Sequence, residues 1–229
     1  MSTTRFHDAH AHDVRHQQGG FLIALEGASR PDGTLDNEGV LAREDRSRLL
    51  IGVPYASAGK ADSGLPGPVI KYHARREGYS PEWVANDLSR FQRRVALVDT
   101  LNSLDWPSSA YSSLARSFPA TQFLFCHAGG YDLLDFVKMC RFIGNVWLDF
   151  SATQHIVGWA QSSGKLTFAE QLIEHSFEEP RIRERVMFGS DTPWFDQNDA
   201  VKRVVERAPD PAAILMGNFE RLVARADLV

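Results

Sequence analysis

Eight short runs of apolar and β-branched residues alternate with longer amphipathic segments along the 229 residues, and nearly every run ends in a group able to bind a metal or move a proton. These two observations predict an α/β fold of parallel strands covered by helices, a small (β/α)8 TIM barrel in preference to an open sheet. Strands are expected at residues 6–12, 21–27, 49–55, 69–73, 95–101, 122–127, 146–151 and 186–191. Helices are expected at residues 37–47, 81–93, 109–117, 132–142, 166–175, 198–208 and 211–225. The first connection, residues 13–20, is too short for a helix, so the barrel should be irregular there. Ser80 followed by Pro81 offers an N-cap and then a proline at the first helical position, where its missing N–H costs nothing, and Pro211 opens the last helix in the same way. Residues 95–101 and 122–127 carry apolar side chains on both faces, as strands between barrel interior and helices should. No linker, repeat or low-complexity stretch divides the chain, which reads as one barrel domain over residues 1–229.

Composition narrows the function classes. Lys and Arg number 25 against 29 for Asp and Glu, so no basic excess exists to neutralise a phosphate backbone, and nucleic acid is not an expected partner. No stretch approaches the ~20 apolar residues that span a bilayer, and the start lacks a signal-peptide core, so a soluble, cytoplasmic protein with no membrane partner is expected. Two cysteines, Cys126 and Cys140, have no CxxC spacing and read as free buried thiols.

In a (β/α)8 barrel the strand C-termini converge on one mouth, so polar strand ends far apart in sequence become neighbours. His10 and His12 are two apart on a strand and share a face, which suits two nitrogens on one zinc-like ion; with His7 and His16 nearby, a merely histidine-rich terminus is the alternative. Asp191 ends an apolar run abruptly and reads either as a ligand and proton acceptor or as the N-cap of the helix that follows. His127 precedes Ala128-Gly129-Gly130, a flexible corner that allows close approach, though a lone strand-end histidine is also commonly structural. By strand alternation Cys126 should point the other way, toward the helices. Lys71 and His73 share a face, and a lysine inside a barrel needs a partner carboxylate, an anionic substrate or carbamylation. Asp99 lies mid-run in apolar surroundings and should pair with metal, Lys71 or an arginine.

Several motifs together resemble the amidohydrolase superfamily, in its metal-dependent "amidohydrolase 2" branch of hydrolases and decarboxylases. Asp8-Ala9-His10-Ala11-His12 is similar to an opening DxHxH, Lys71-Tyr72-His73 to a KxH strand, His127-Ala128-Gly129-Gly130 to an HxGG corner, Phe188-Gly189-Ser190-Asp191 with Pro193-Trp194 to an FGSDxPW signature, and Gly217-Asn218 with Arg221-Leu222 to a closing helix. The likeness runs from residue 6 to about residue 222, with no motif in residues 13–48. It implies a divalent ion, usually zinc, on His10, His12 and Asp191, with His127 contacting the metal or polarising water and the substrate carbonyl. Where the family has a metal-binding histidine at the end of its fifth strand this chain has Asp99, which is assigned as a further metal ligand, while a metal-free form is admitted. Asp191 and His127 are assigned as catalytic, and Lys71, His73, Arg75, Trp194 and His155 to substrate binding.

The expected function is a metal-dependent hydrolase that cleaves an amide, ester or lactone bond of a small anionic substrate with metal-activated water. A non-oxidative decarboxylase built on the same constellation is the runner-up, and a catalytically inactive ligand-binding barrel is a third reading. The short chain admits a homo-oligomer in which a second subunit supplies the loops that cover the substrate.

Overall fold

The computed structural model describes residues 5–16, 18–26, 30–58, 62–101, 106–153 and 168–228. All eight expected strands form: β1 Asp8–Ala11, β2 Gly20–Ile23, β3 Leu50–Val53, β4 Val69–Tyr72, β5 Val95–Asp99, β6 Gln122–Cys126, β7 Val146–Asp149 and β8 Val186–Met187. They pair in parallel as two sheets, β1-β2-β3 and β4-β5-β6-β7-β8. Backbone hydrogen bonds also cross both gaps between the sheets. Lys71 donates its N–H to Pro54 and accepts from Ala56, while Asp191 donates to His10 (2.7 Å) and His12 donates to Thr192 (2.9 Å). The eight strands therefore follow one another around a barrel, and both seams fall at the future site. This is a TIM-barrel α/β fold.

The helices are α1 Asn37–Leu41, α2 Ala74–Glu77, α3 Pro81–Phe91, α4 Ser108–Ser117, α5 Leu133–Phe142, α6 Phe168–Glu178, α7 Pro180–Arg183, α8 Gln197–Arg207 and α9 Asn218–Arg225. Ser80 caps α3 as its sequence implied, its hydroxyl accepting from the Trp83 N–H with Pro81 at the first turn. The first connection holds only the single turn Val14–His16. The helix begun at Pro211 widens over Ala213–Gly217, and carbonyls there bond out of the helix, Leu215 to the His7 N–H and Ile214 to that of Phe188. Expected helix 37–47 is shorter than its pattern, ending at Leu41 before a turn at Arg46–Arg48, and the four-residue α2 and α7 carry too little periodicity to be read from sequence. Residues 166 and 167 of an expected helix, and His155, lie outside the described residues.

Strand alternation sorts the core into two layers. Ile70, Ala96, Val98, Phe123, Phe125 and Leu148 face the helices. Val69, Val95, Leu97, Leu124, Trp147 and Met187 fill the barrel, where Phe219, Leu222 and Val223 of α9 close its N-terminal end. Continuing those inward rows toward the strand C-termini gives Lys71 after Val69, Asp99 after Leu97, Cys126 after Leu124 and Asp149 after Trp147. The interior is thus apolar at one end and charged at the other. No helix among the described residues is long and apolar enough to cross a membrane.

Candidate metal and substrate site

A cleft of about 320 Å³ opens at the C-terminal end of the barrel, and His10, His12, Lys71, His73, Arg75, Asp99, His127, Asp191 and Trp194 all line it. Two local features of the backbone aim these groups. β1 carries an extra residue against β2 between Asp8 and Ala11. Asp8, buried below, accepts from the His10 and Ser190 N–H groups (3.0 Å each) and from the Gln197 side chain (2.7 Å), tying β1 to the loop after β8. On that loop Gly189 lets the chains approach closely, since a Cβ there would crowd the Cβ atoms of His10 and Asp149 at 3.0 and 3.1 Å.

His10, His12 and Asp191 form one group. Asp191 Oδ1 lies 3.7 Å from Nε2 of each histidine. His12 Nδ1 faces the Ile23 carbonyl at 3.0 Å, so it carries the ring proton and leaves the Nε2 lone pair toward Asp191. His10 Nδ1 faces Ser151 Oγ at 3.0 Å and Asp149 Oδ2 at 3.4 Å; the Ser151 hydroxyl donates to Asp149, so Nδ1 again carries the proton and Nε2 the lone pair. Burial, with the neighbouring Lys71 charge, pushes the His10 ring down to about 3, and burial with the His10 and Lys71 charges pushes His12 well below the usual histidine range. Burial raises the Asp191 carboxyl to about 6 against the pull of His127 and Lys71. Two neutral imidazoles with lone pairs on one side and a carboxylate oxygen between them fit a divalent ion of the zinc type, and the orienting acceptors behind each ring are what such sites use. The N-cap alternative for Asp191 does not hold: α8 is capped by Asp196, whose carboxylate accepts from the Asp199 N–H at 2.9 Å.

Asp99 and His127 form a second group. Asp99 Oδ2 lies 3.2 Å from His127 Nε2 and 3.4 Å from His73 Nε2, and Oδ1 lies 3.6 Å from Arg75 Nε. Burial opposes its charge, but the His127 hydrogen bond and the charges of His127, His73 and Lys71 hold it well below the usual carboxylate range. Asp99 is absent from the groups of ligand atoms that fall together among the described residues and lies instead among His127, His73 and Arg75, the arginine being one of its expected partners. Both nitrogens of His127 are engaged, Nε2 with Asp99 and Nδ1 with the Ser151 carbonyl (3.1 Å) and hydroxyl (3.0 Å), so it meets His10 through its ring, centroids 4.6 Å apart. Burial pulls His127 down, but Asp99, Asp191 and Asp149 outweigh it and raise its pKa.

The expected direction of Cys126 is corrected. Its side chain belongs to the barrel interior, with its sulfur beside His10 and Asp149. Alternation stops one residue later, because His127, Ala128 and Gly129 take left-handed φ values of 65°, 45° and 83°, which turn His127 into the same cleft. Asp149 and Ser151 were not singled out from the sequence. Asp149 is fully buried, accepts from the His127 and Ser151 N–H groups (3.1 and 3.0 Å) and faces His10. Its signal was available: like Asp99, it is a carboxylate inside an apolar strand.

A family model described as Amidohydrolase matches residues 80–220, more than half of the chain. The chain belongs to this amidohydrolase family. The match covers His127 and Asp191, while His10, His12 and Lys71 join the same cleft through the fold. No curated protein matches it. Among solved structures it is similar to an amidohydrolase 2 from Bifidobacterium longum subsp. infantis (11% identity, 97% of this chain and 99% of the other, TM-score 0.61). It is also similar to a probable 2-pyrone-4,6-dicarboxylic acid hydrolase from Acinetobacter baumannii with citric acid bound (14% identity, 96% and 100% covered, TM-score 0.58). A third is a TIM-barrel protein from Bordetella bronchiseptica (14% identity, 92% and 79% covered, TM-score 0.56). At these identities the likenesses speak to the fold alone, which they share with this chain.

Proposed function

We propose that this chain is a metal-dependent hydrolase, with zinc as its ion, that cleaves an amide, ester or lactone bond of a small anionic substrate. The observation that carries the reading is the meeting of two Nε2 lone pairs and one carboxylate oxygen, from His10, His12 and Asp191, in a cleft that also contains Lys71 and Arg75. A divalent ion held by those three residues would act as a Lewis acid, polarising a carbonyl and making water a better nucleophile.

The other roles follow from the chain's own groups. Lys71 and Arg75 are cations on the β4 side of the cleft and bind the anionic part of the substrate, with Trp194, half exposed at the rim, against its apolar part. Asp191 takes the proton of the attacking water and returns it to the leaving amine or alcohol. His127, with Asp99 on its Nε2, keeps a protonated imidazole on the β6 side of the cleft, where it favours negative charge developing on the substrate oxygen. Asp149 and Ser151 hold the His10 ring in its orientation.

The test is turnover on a panel of small carboxylate-bearing amides, esters and lactones, followed by titration of released acid. The expected result is a new carboxylate with an amine or alcohol, lost on chelation and restored by zinc. Release of CO2 without a new hydroxyl-derived carboxylate would replace hydrolysis by decarboxylation, and full turnover after complete removal of the ion would sink the metal-dependent reading.

A further inference from the structure

Lys71 is 1% exposed and its ammonium makes no ion pair with a carboxylate among the described residues; it lies 3.4 Å from His10 Nε2 and also within hydrogen-bond reach of the Cys126 sulfur. Its backbone cannot drift, because both its N–H and its carbonyl are bonded across the β3–β4 seam. His10 has a single lone pair to offer, since Nδ1 carries its proton toward Ser151 and Asp149. That lone pair is the one the proposed ion needs, and a divalent cation and an ammonium cannot both take it. They would also repel one another in a buried site, where charge interactions are poorly screened. Burial works against this ammonium, and Cys126 with the more distant carboxylates Asp99 and Asp149 favours it; an anion brought into direct contact adds the ion pair it lacks. The cleft beside it is open and holds a second cation, Arg75, on α2.

Resting on the metal reading above, we propose that Lys71 is an internal competitor of the metal: its ammonium takes the His10 Nε2 lone pair when no substrate is present, and an anionic substrate draws it away. Metal and anion then bind cooperatively, each tightening the other by the same factor, because both binding equilibria include the same movement of Lys71. No bond is made or broken in this exchange. Only a hydrogen bond moves, from His10 to the substrate carboxylate.

The experiment is the apparent affinity for Co²⁺, measured by competition with a chromophoric chelator, for the full-length protein and for Lys71→Met, Lys71→Arg and His12→Ala. Methionine matches lysine in length and the barrel interior in polarity. Lys71→Met is expected to bind at least about tenfold more tightly than the parent, and Lys71→Arg to stay near it. Saturating acetate, corrected for its own weak hold on the ion, is expected to tighten Co²⁺ in the parent and leave Lys71→Met unmoved. Should Lys71→Met fail to fold, the acetate effect on the parent decides the matter alone. Equal or weaker binding by Lys71→Met, or no acetate effect in the parent, overturns the competition; if His12→Ala still abolishes binding, the metal site itself stands. Absence of Co²⁺ binding in parent and Lys71→Met alike removes the metal reading and the competition together.

Discussion

On the β8–β1 side of the cleft, two histidine lone pairs and a carboxylate oxygen face one another with no proton to share, whereas on the β5–β6 side Asp99 already sits among His127, His73 and Arg75. The same residue types build both groups. What separates them is which ring nitrogen is occupied from behind. His12 and His10 spend Nδ1 on the Ile23 carbonyl and on Ser151 with Asp149, and so present acceptors. His127 faces acceptors from both nitrogens, Asp99 and the Ser151 carbonyl, and so presents donors. One side is open to a cation and the other is internally compensated; Lys71 lies between them.

The largest effect that would break this comparison is at Asp191. Asparagine keeps its shape but not its charge or basicity, and the cap of the following helix belongs to Asp196, so no helix cap is lost with the Asp191 carboxylate. Asp191→Asn is expected to stay folded by circular dichroism while turnover falls by at least about 10²-fold. Near-normal turnover would make the β8–β1 group structural.

A smaller change should follow Asp149→Asn, which keeps an acceptor for the His127 and Ser151 N–H groups but weakens the hold on His10 Nδ1. Divalent-ion affinity should fall by about 10–100-fold, the usual cost of losing a group that orients a ligand. An unchanged affinity in a chelator competition would show that Ser151 alone sets the ring. The smallest shift is expected for Asp99→Asn, whose carboxylate lies in the compensated group. Here ion affinity should change by no more than about threefold, through the remaining Coulomb effect only, while turnover drops because His127 loses its partner. Loss of the ion in this variant would bring Asp99 back among the ligands.

Much of this was legible in the chain. The period-2 pattern of β4 to β7 marks the inward rows, and a polar residue continuing such a row, as Lys71 and Asp99 do, has to lie at the mouth. Asp149 obeys the same rule. Cys126 follows the inward row from Leu124, but His127 breaks the alternation, because left-handed backbone at residues 127–129 is a conformation no alternation count reports, and counting back from His127 therefore turned Cys126 the wrong way. The two readings of Asp191 stayed equal in sequence, since a carboxylate before a helix serves a cap or a ligand equally well; the start of α8 at Gln197 separates them.

By itself the sequence determined the order of strands and helices, the apolar and polar ends of each inward row, and the family motifs, all of which are set by neighbours a few residues apart. Only the tertiary structure decided who partners whom. His10 is 61 residues from Lys71, 141 from Ser151 and about 180 from Asp191, and no local preference spans such distances. They meet because the β3–β4 and β8–β1 seams lock in one backbone register, and that register, with the proton each ring nitrogen must hold, determines which lone pairs face the cleft.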